Sequence, residues 1–411
     1  MSINYADTAW MLVSSAMVLF MTPGLAFFYG GLVRRKNFLS TIMMSFACLG
    51  LISLLWVIYG YSLAFGPDKA GIIGGLDFFG LIGVGQAPSP VYATTIPHLA
   101  FMVFQGMFAI ITVALITGAV VERIKFSALT LFSVLWFTLV YCPVAHWVWG
   151  SGGWLAKLGA LDFAGGTVVH IAAGVSALSL ALLLGPRKGF KEKEPMEPGN
   201  IPMVALGAGM LWFGWFGFNA GSALTSGGLA SSAFVATNIS AATAAFVWMI
   251  LSWIYLRPSL LGVVTGAVAG LVAITPAAGF VQPIMGIPIG AGAAILCYYM
   301  MLFRAKTGID ESLDVWAVHG MGGTWGALAT GIFSSVAVNS TGKDGLIYGN
   351  PKQLLFQLIG VVVVWAFAFV MTWVIGKIVN ATIGLRVSSE EESVGLDISQ
   401  HGERAYGGPL R

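Results

Sequence analysis

Eleven apolar stretches, each long enough to cross a lipid bilayer, constrain this chain more than any other feature of its sequence. A helix needs about 20 apolar residues to cross about 30 Å of hydrocarbon. Only 9% of the 411 residues are Asp, Glu, Lys or Arg, against about 25% in soluble domains. The sequence therefore predicts an all-α polytopic membrane protein. The predicted spans cover about residues 8–33, 38–65, 97–121, 126–148, 164–185, 201–219, 231–256, 259–278, 284–303, 315–336 and 353–380.

The distribution of basic residues between the spans predicts the orientation. Cytoplasmic segments of membrane proteins are enriched in Lys and Arg. With the N-terminus outside, sixteen basic residues face the cytoplasm and four lie outside, namely Lys69, Lys157, Lys343 and Lys352. An odd number of spans then places the C-terminus in the cytoplasm. The small net charge of +3 indicates no nucleic-acid partner.

A short internal repeat predicts two related halves. The run from Asp162 to His170 opens the fifth span, and the run from Asp314 to His319 opens the tenth. Both continue as Val-His-x-x-x-Gly. Because five spans precede the second set, the two sets enter the membrane from opposite sides, as in inverted-repeat transporters. We predict a transmembrane domain over 1–383, with inverted halves of about 8–185 and 201–336 and an extra helix over about 353–380. A cytoplasmic tail covers 384–411.

His170 and His319 are the main candidates for chemistry inside the membrane. Ionisable groups there are costly and usually functional, and imidazole titrates near neutral pH. The alternative is that each is only a packed histidine bonded to a neighbouring helix. Each lies one or two turns from its helix start, on opposite faces, and a helix rises 1.5 Å per residue. The two rings can therefore meet only if both helix starts are sunk into the protein, which the glycines at 165–166 and the polar stretch 308–312 permit.

Acidic and aromatic side chains near these helix starts suggest a cation site. Asp162 and Asp314 stand where N-cap aspartates stand. Asp162 also follows Trp149 and Trp154, so it could stabilise an arriving cation. Aromatic faces attract a cation by about 0.5–2 kcal/mol, whereas moving a bare ion into hydrocarbon costs on the order of 20 kcal/mol. Aromatics can therefore recruit a small cation but cannot carry it through.

The three cysteines predict neither a metal site nor a disulfide. They are Cys48, Cys142 and Cys297, an odd number without a C-x-x-C pair, and each lies in or beside an apolar segment. We expect small buried side chains.

These residues together resemble the ammonium transporter (Amt/Mep/Rh) family, and its microbial Amt branch in particular. The resemblance runs from the segment 23–31 to 384–386, and its most specific parts are 162–170, 214–222 and 318–320, with 118–123 also typical. It implies the ammonium transporter fold of eleven helices in a homotrimer with one pore per subunit. It also implies a transporter or channel rather than an enzyme, with no cofactor and no metal.

The resemblance further implies a set of site residues. Trp149 is one of them, and Trp147 is its alternative. Phe108, Trp149 and Ser222 are implied to form an external recruitment site. Phe108 and Phe218 are implied to form a stacked gate, and His170 and His319 to line the pore. Asp162 is implied to support binding and deprotonation.

The implied function is transport of ammonium or ammonia for nitrogen uptake, with methylammonium as a weaker analogue. The charged tail is implied to dock under the trimer and to help a PII-type signal protein regulate it, although such segments are usually solvated. Three alternatives remain. One is an ammonium sensor with the same pore, and another is a membrane redox protein with His170 and His319 as axial haem ligands. The third is proton-coupled transport of another solute.

Overall fold

The protein is a bundle of long helices, seen in a computed structural model that describes residues 2–255 and 257–406. Leu256, at the end of the predicted seventh span, and residues 407–411 of the predicted tail lie outside the described residues. The helices are α1 (Tyr5–Leu32), α2 (38–65), α3 (His98–Thr117), α4 (126–149), α5 (Gly166–Leu184), α6 (Ile201–Gly221), α7 (Gly228–Tyr255), α8 (Leu260–Ile274), α9 (Gly286–Thr307), α10 (316–333), α11 (Pro351–Thr382), α12 (Ser389–Val394) and α13 (Leu396–His401).

The helices confirm a multi-pass membrane fold. In the described ranges, nine helices are long and apolar enough to cross a membrane, and each coincides with a predicted span. The predicted spans 259–278 and 315–336 coincide with α8, which has 15 residues, and with α10. Because α8 and α10 are shorter or less apolar than the nine other helices, the count of eleven spans stays a prediction. Helices dominate because every backbone polar group in lipid must be paired within its own segment.

Four of the long helices contain a π-helical turn. These turns are Trp56–Gly60 in α2, Phe137–Tyr141 in α4, Gly166–Ile171 at the start of α5 and Trp316–Met321 at the start of α10. Such turns are rare and often mark functional positions. The last two contain His170 and His319.

The direction of the helices agrees with inverted halves. The backbone N–H of Asn200, just before α6, donates to the carbonyl of Gly31 near the end of α1 at 3.0 Å. The two helices therefore pack side by side in opposite directions, and α5 and α10 do the same. The three cysteines are buried and unpaired.

One end of the bundle, which we call the tail face, gathers the segments 33–37, 118–125, 185–200, 308–314 and 383–406. Arg187 contacts both carboxylate oxygens of Asp310, at 2.8 and 2.9 Å, and Glu122 at 3.2 Å. Arg34 bonds the same Glu122 at 2.7 Å. Burial raises the pKa of Glu122, but the two guanidinium groups outweigh it and hold the pKa below its ordinary value. These buried charges are paired, as burial requires.

The tail packs against this face through two exchanged helix caps. The Oδ1 of Asp397 accepts the backbone N–H of Ser40 in the first turn of α2 at 2.7 Å. In return, the Oδ1 of Asn37 accepts the backbone N–H of Leu396 at the start of α13 at 2.8 Å. Asp397 and Leu396 are buried. Residues 389–401 are therefore folded onto their own chain instead of extending into solvent.

The opposite end of the bundle, which we call the outer face, carries two small antiparallel hairpins. Strands β1 (Asp68–Lys69) and β2 (Ile73–Gly74) pair with each other, as do β3 (Pro88–Ser89) and β4 (Ala93–Pro97). The carbonyl of Ile72 in the first hairpin accepts the indole N–H of Trp147 at 2.8 Å. A short helix, Trp154–Leu158, lies between α4 and α5.

Candidate pore and its outer mouth

The three implied recruitment residues line one cavity at the outer face, which we call the outer cavity. Phe108, Trp149 and Ser222 surround a volume of about 310 Å³. The rings of Phe108 and Trp149 are perpendicular, with centroids 5.9 Å apart. The Ser222 hydroxyl donates to the carbonyl of Phe218 at 2.9 Å, so its oxygen remains free to accept. A small cation in this cavity would contact aromatic faces and a hydroxyl acceptor together.

Gln105 adds a further acceptor to the outer cavity. It lines the same volume, and its Oε1 is buried without a hydrogen-bond partner among the described residues. A buried carbonyl oxygen normally has a donor, so this oxygen suits an N–H group of a ligand. Gln105 is not among the site residues predicted from the sequence.

The structure favours Trp149 over Trp147 as the tryptophan of this cavity. Trp147 uses its indole N–H on Ile72 and packs on Phe367 of α11, with centroids 4.6 Å apart. Trp147 is not one of the described residues that line the outer cavity. The two side chains are two residues apart on a helix, so they point to different neighbours.

Two phenylalanines close the floor of the outer cavity. The rings of Phe108 and Phe218 lie 4.2 Å apart with an interplanar angle of 32°. Both side chains are fully buried. Phe108 lines the outer cavity and Phe218 lies beside His170, with ring centroids 6.0 Å apart, so the pair stands where the gate is expected.

His170 and His319 contact each other below this pair. Their Nδ1 atoms are 3.2 Å apart, and both rings are buried. A contact between two Nδ1 atoms holds one proton, so one ring donates and the other accepts. In the neutral state the two Nε2 atoms then differ, one being an acceptor and the other an N–H donor. The pair can therefore both accept and donate a proton.

The histidines line a very small chamber, which we call the central chamber. Its volume is about 20 Å³, and its other walls are mainly apolar, including Leu25, Trp215 and Phe218. A site needs roughly 10–15 Å³ to hold one water molecule. The central chamber therefore has room for a single molecule of that size.

A third cavity, the inner cavity, follows on the tail face. It has a volume of about 340 Å³ and is lined by Phe28, Trp248, Asp314 and His319 among others. His319 lines both this cavity and the central chamber. The outer cavity, gate, central chamber and inner cavity thus follow one another through the bundle.

Both helix starts are sunk into the protein, as the contact of the histidines required. All residues of the turn Gly166–Ile171 are buried. The residue five positions before each histidine has a positive φ, +114° at Gly165 and +59° at Asp314. The chain therefore turns sharply in both halves before the helix begins.

The carboxylate of Asp162 supports the start of α5. It accepts the backbone N–H groups of Gly165, Gly166 and Thr167, each at 2.7 Å, and also the Thr167 hydroxyl. Its carbonyl accepts the indole N–H of Trp149 at 2.9 Å. The carboxylate is thus occupied by its own helix, and Asp162 reaches the outer cavity only through Trp149.

Asp314 does not cap α10, so that part of the sequence interpretation is wrong. Its carboxylate pairs with Arg304 at 2.6 Å. The acceptor at the start of α10 is Glu311, which takes the backbone N–H of Trp316 at 3.2 Å. Glu311 stands eight residues before His319, as Asp162 stands eight before His170. Counting back from the histidines would have found it, whereas aligning the two aspartates did not.

The repeated glycines allow the two histidine helices to cross closely. A Cβ at Gly174 would collide with the backbone of Gly320, and a Cβ at Gly323 would lie 3.0 Å from the carbonyl oxygen of Gly166. Small residues at helix crossings permit such backbone contact. The Val-His-x-x-x-Gly repeat therefore encodes the crossing that brings the two rings together.

These features define a polytopic α-helical membrane protein with a row of buried cavities inside a single chain. A model of the Ammonium Transporter Family matches residues 9–406, and the chain belongs to that family. It is 54% identical to the ammonium transporter Amt1 of Archaeoglobus fulgidus over 400 residues, which cover 97% of this chain and 99% of that protein. It is 51% identical to an ammonium transporter of Bacillus subtilis over 402 residues, with 97% and 98% covered.

Solved structures share the fold. Mep2 of Saccharomyces cerevisiae superposes with a TM-score of 0.88 at 37% identity, covering 94% of this chain and 91% of that one. A protein described as a sensor Amt protein superposes with a TM-score of 0.88 at 30% identity, covering 96% and 98%. The predicted family and the ammonium transporter fold are thereby confirmed, and the count of eleven helices stays a prediction.

Proposed function

We propose that the protein transports ammonium across the membrane, binding the cation in the outer cavity and passing ammonia through the central chamber. The observation that carries this proposal is the contact of His170 and His319 in a chamber for one small molecule, between two wider cavities. Membership in the ammonium transporter family and its likeness to Mep2 support the choice of substrate.

Recruitment of the cation follows from the outer cavity. Phe108 and Trp149 present ring faces, which attract a cation by about 0.5–2 kcal/mol. Ser222 and Gln105 offer oxygen acceptors for its N–H groups. Methylammonium has fewer N–H donors and a larger volume, so it is a weaker substrate.

The cation must lose its proton before the central chamber, and that proton either returns to the outer solvent or passes along His170 and His319 as a separate proton relay. The chamber is mainly apolar, and an ion placed there would lose hydration worth on the order of 20 kcal/mol by an idealised estimate. Ammonia avoids this cost. It can donate a hydrogen bond to the Nε2 atom that is an acceptor, and it can accept one from the Nε2 atom that carries a hydrogen. Asp162 supports deprotonation indirectly, because it fixes Trp149 and the start of α5.

The relay is tested by replacing both histidines. Purified protein in liposomes receives an ammonium pulse, and the current and the internal pH are recorded. We expect the double variant H170A/H319A to change flux or ion selectivity greatly. The tail variant H401A, whose ring lies outside the pore, serves as the matched control. Unchanged current and unchanged selectivity in the double variant would refute the relay.

We also propose the assembly and orientation that the family resemblance implies. The tail face is cytoplasmic, because sixteen of twenty basic residues lie in segments predicted on that side. The chain forms a homotrimer, and a PII-type protein binds the tail face. Native mass spectrometry tests the trimer, and co-purification with a PII protein tests the partner.

Ammonium sensing is the second candidate, because a sensor Amt protein shares this fold. A sensor would bind ammonium in the outer cavity yet show no sustained flux in liposomes. The haem alternative does not fit the geometry. The two imidazole rings are in direct contact, with 3.2 Å between their Nδ1 atoms, and leave no room for a macrocycle between them. Purified protein should therefore show no Soret band.

A further inference from the structure

We propose that Gln357 of α11 is a positioning residue for the outer cavity and sets the affinity for ammonium through Trp149. The proposal rests on the proposed function. Gln357 lies far from the cavity in sequence and does not line it, and it acts through the segment 159–162 that precedes α5.

Gln357 holds this segment as a neighbouring β-strand would. Its Oε1 accepts the backbone N–H of Leu161 at 2.6 Å, and its Nε2 donates to the carbonyl of the same residue at 2.7 Å. The second hydrogen of Nε2 donates to the carbonyl of Ala327 in α10 at 3.0 Å. The side chain is 2% exposed. All hydrogens of the amide are used, so its orientation is fixed.

The clamped residue lies next to the one that holds the tryptophan. Leu161 is followed by Asp162, whose carbonyl accepts the Trp149 indole N–H at 2.9 Å. The carboxylate of Asp162 also begins α5. A shift of Leu161 would therefore move the Asp162 carbonyl and, with it, the Trp149 ring that faces the cation.

Among the described residues, Gln357 is the one hydrogen-bond partner of the two backbone groups of Leu161. Gly159 has a positive φ of +101°, so the chain leaves the preceding helix there in a sharp turn. Its carbonyl accepts from Gln353, one turn earlier on α11, at 3.0 Å. The position of Leu161 is thus set by a side chain from a distant helix, and cation–π attraction depends on the distance to the ring.

The consequence is a change in apparent affinity rather than in maximal flux. Without Gln357 the two backbone groups of Leu161 lose their partners, and the neighbouring Asp162 carbonyl no longer holds the ring of Trp149 in a fixed position. We expect Q357A to raise the apparent KM for ammonium by about tenfold. Q86A, at an exposed glutamine of the outer face, is the matched control and keeps the wild-type KM. A merely structural role would lower the amount of folded protein and the maximal flux together, with KM unchanged.

A double-variant cycle tests whether the effect passes through Trp149. W149F keeps an aromatic ring but removes the N–H that bonds Asp162. We expect the KM ratio of Q357A to its parent to fall to below about threefold in the W149F background. Equal ratios in both backgrounds would overturn the proposal. If the wild-type protein gives no ammonium flux, the proposed function fails; if it does and the ratios are equal, only the role of Gln357 fails.

Q357E gives a test that does not depend on the stability of the alanine variant. A buried carboxyl group is protonated more readily than an exposed one. When protonated, it offers one donor and one acceptor, which is what Leu161 requires. The KM of Q357E relative to wild type, measured at each outer pH from 7 to 5, should fall towards one as the pH decreases. A ratio that stays well above one at every pH contradicts the clamp.

Discussion

Removal of the Asp397 carboxylate should release the tail from the tail face. The carboxylate is buried and accepts the backbone N–H of Ser40 at 2.7 Å. A hydrogen bond to a charged group contributes about 1.5–3 kcal/mol, and loss of a helix cap costs about 1 kcal/mol. We therefore expect D397A to destabilise docking by about 2 kcal/mol. That value corresponds to a roughly 30-fold larger undocked population.

Hydrogen–deuterium exchange measures this population directly. Backbone amides of residues 389–401 exchange when the tail opens, and their rate follows the opening equilibrium. D397A should accelerate exchange in this segment by about 30-fold. D397N should accelerate it less, because asparagine keeps the acceptor oxygen. Burial raises the pKa of Asp397, although the backbone N–H of Ser40 opposes this.

The matched control is E390Q, at an exposed carboxylate of the same tail. It alters charge by the same amount without touching α2, and exchange should stay at the wild-type rate. Exchange in D397A equal to that of wild type would refute the idea that the exchanged caps hold the tail. Equal acceleration in E390Q would show that net charge, not the cap, is responsible.

Three further predictions concern the pore and the tail face. G174A should abolish ammonium flux, because its methyl group meets the backbone of Gly320, whereas G50A has open space and should keep flux and gain about 1 kcal/mol. Burial, with the nearby Asp314 carboxylate, raises the pKa of Glu311 from 4.5 to about 7. The folded state then holds a proton that the unfolded state releases, so stability falls as pH rises through that window, by up to about 3 kcal/mol. E311Q should reduce the dependence of the melting temperature on pH between pH 5 and 8, and a pH dependence equal to that of wild type would contradict this. R187A should cost about 3–5 kcal/mol by leaving the buried carboxylate of Asp310 without its ion pair, measured as a lower melting temperature.

The membrane fold could be predicted from the sequence because lipid leaves few choices. An apolar span must be helical, so hydropathy alone located every long helix. The pairing of His170 with His319 also followed, since a repeated Val-His-x-x-x-Gly places the same residues at the same point of two helices that run in opposite directions.

The remaining features depend on contacts that no local pattern records. The Asp397–Ser40 cap joins residues 357 positions apart. Asp314 resembled a cap in sequence, but its positive φ and Arg304 direct its carboxylate elsewhere. Gln357 looked like one more polar residue in an apolar helix, and its role became visible only when α11 lay beside Leu161.

The size of the central chamber also determines how the ratio of influx to efflux depends on the concentration ratio. About 20 Å³ accommodates one small molecule and excludes a second, so successive molecules cannot push one another through a queue. The ratio of influx to efflux of isotopically labelled ammonia should therefore follow the concentration ratio with an exponent of one, unlike that of multi-ion channels. Tracer fluxes of ¹⁵N in both directions across liposomes measure this exponent.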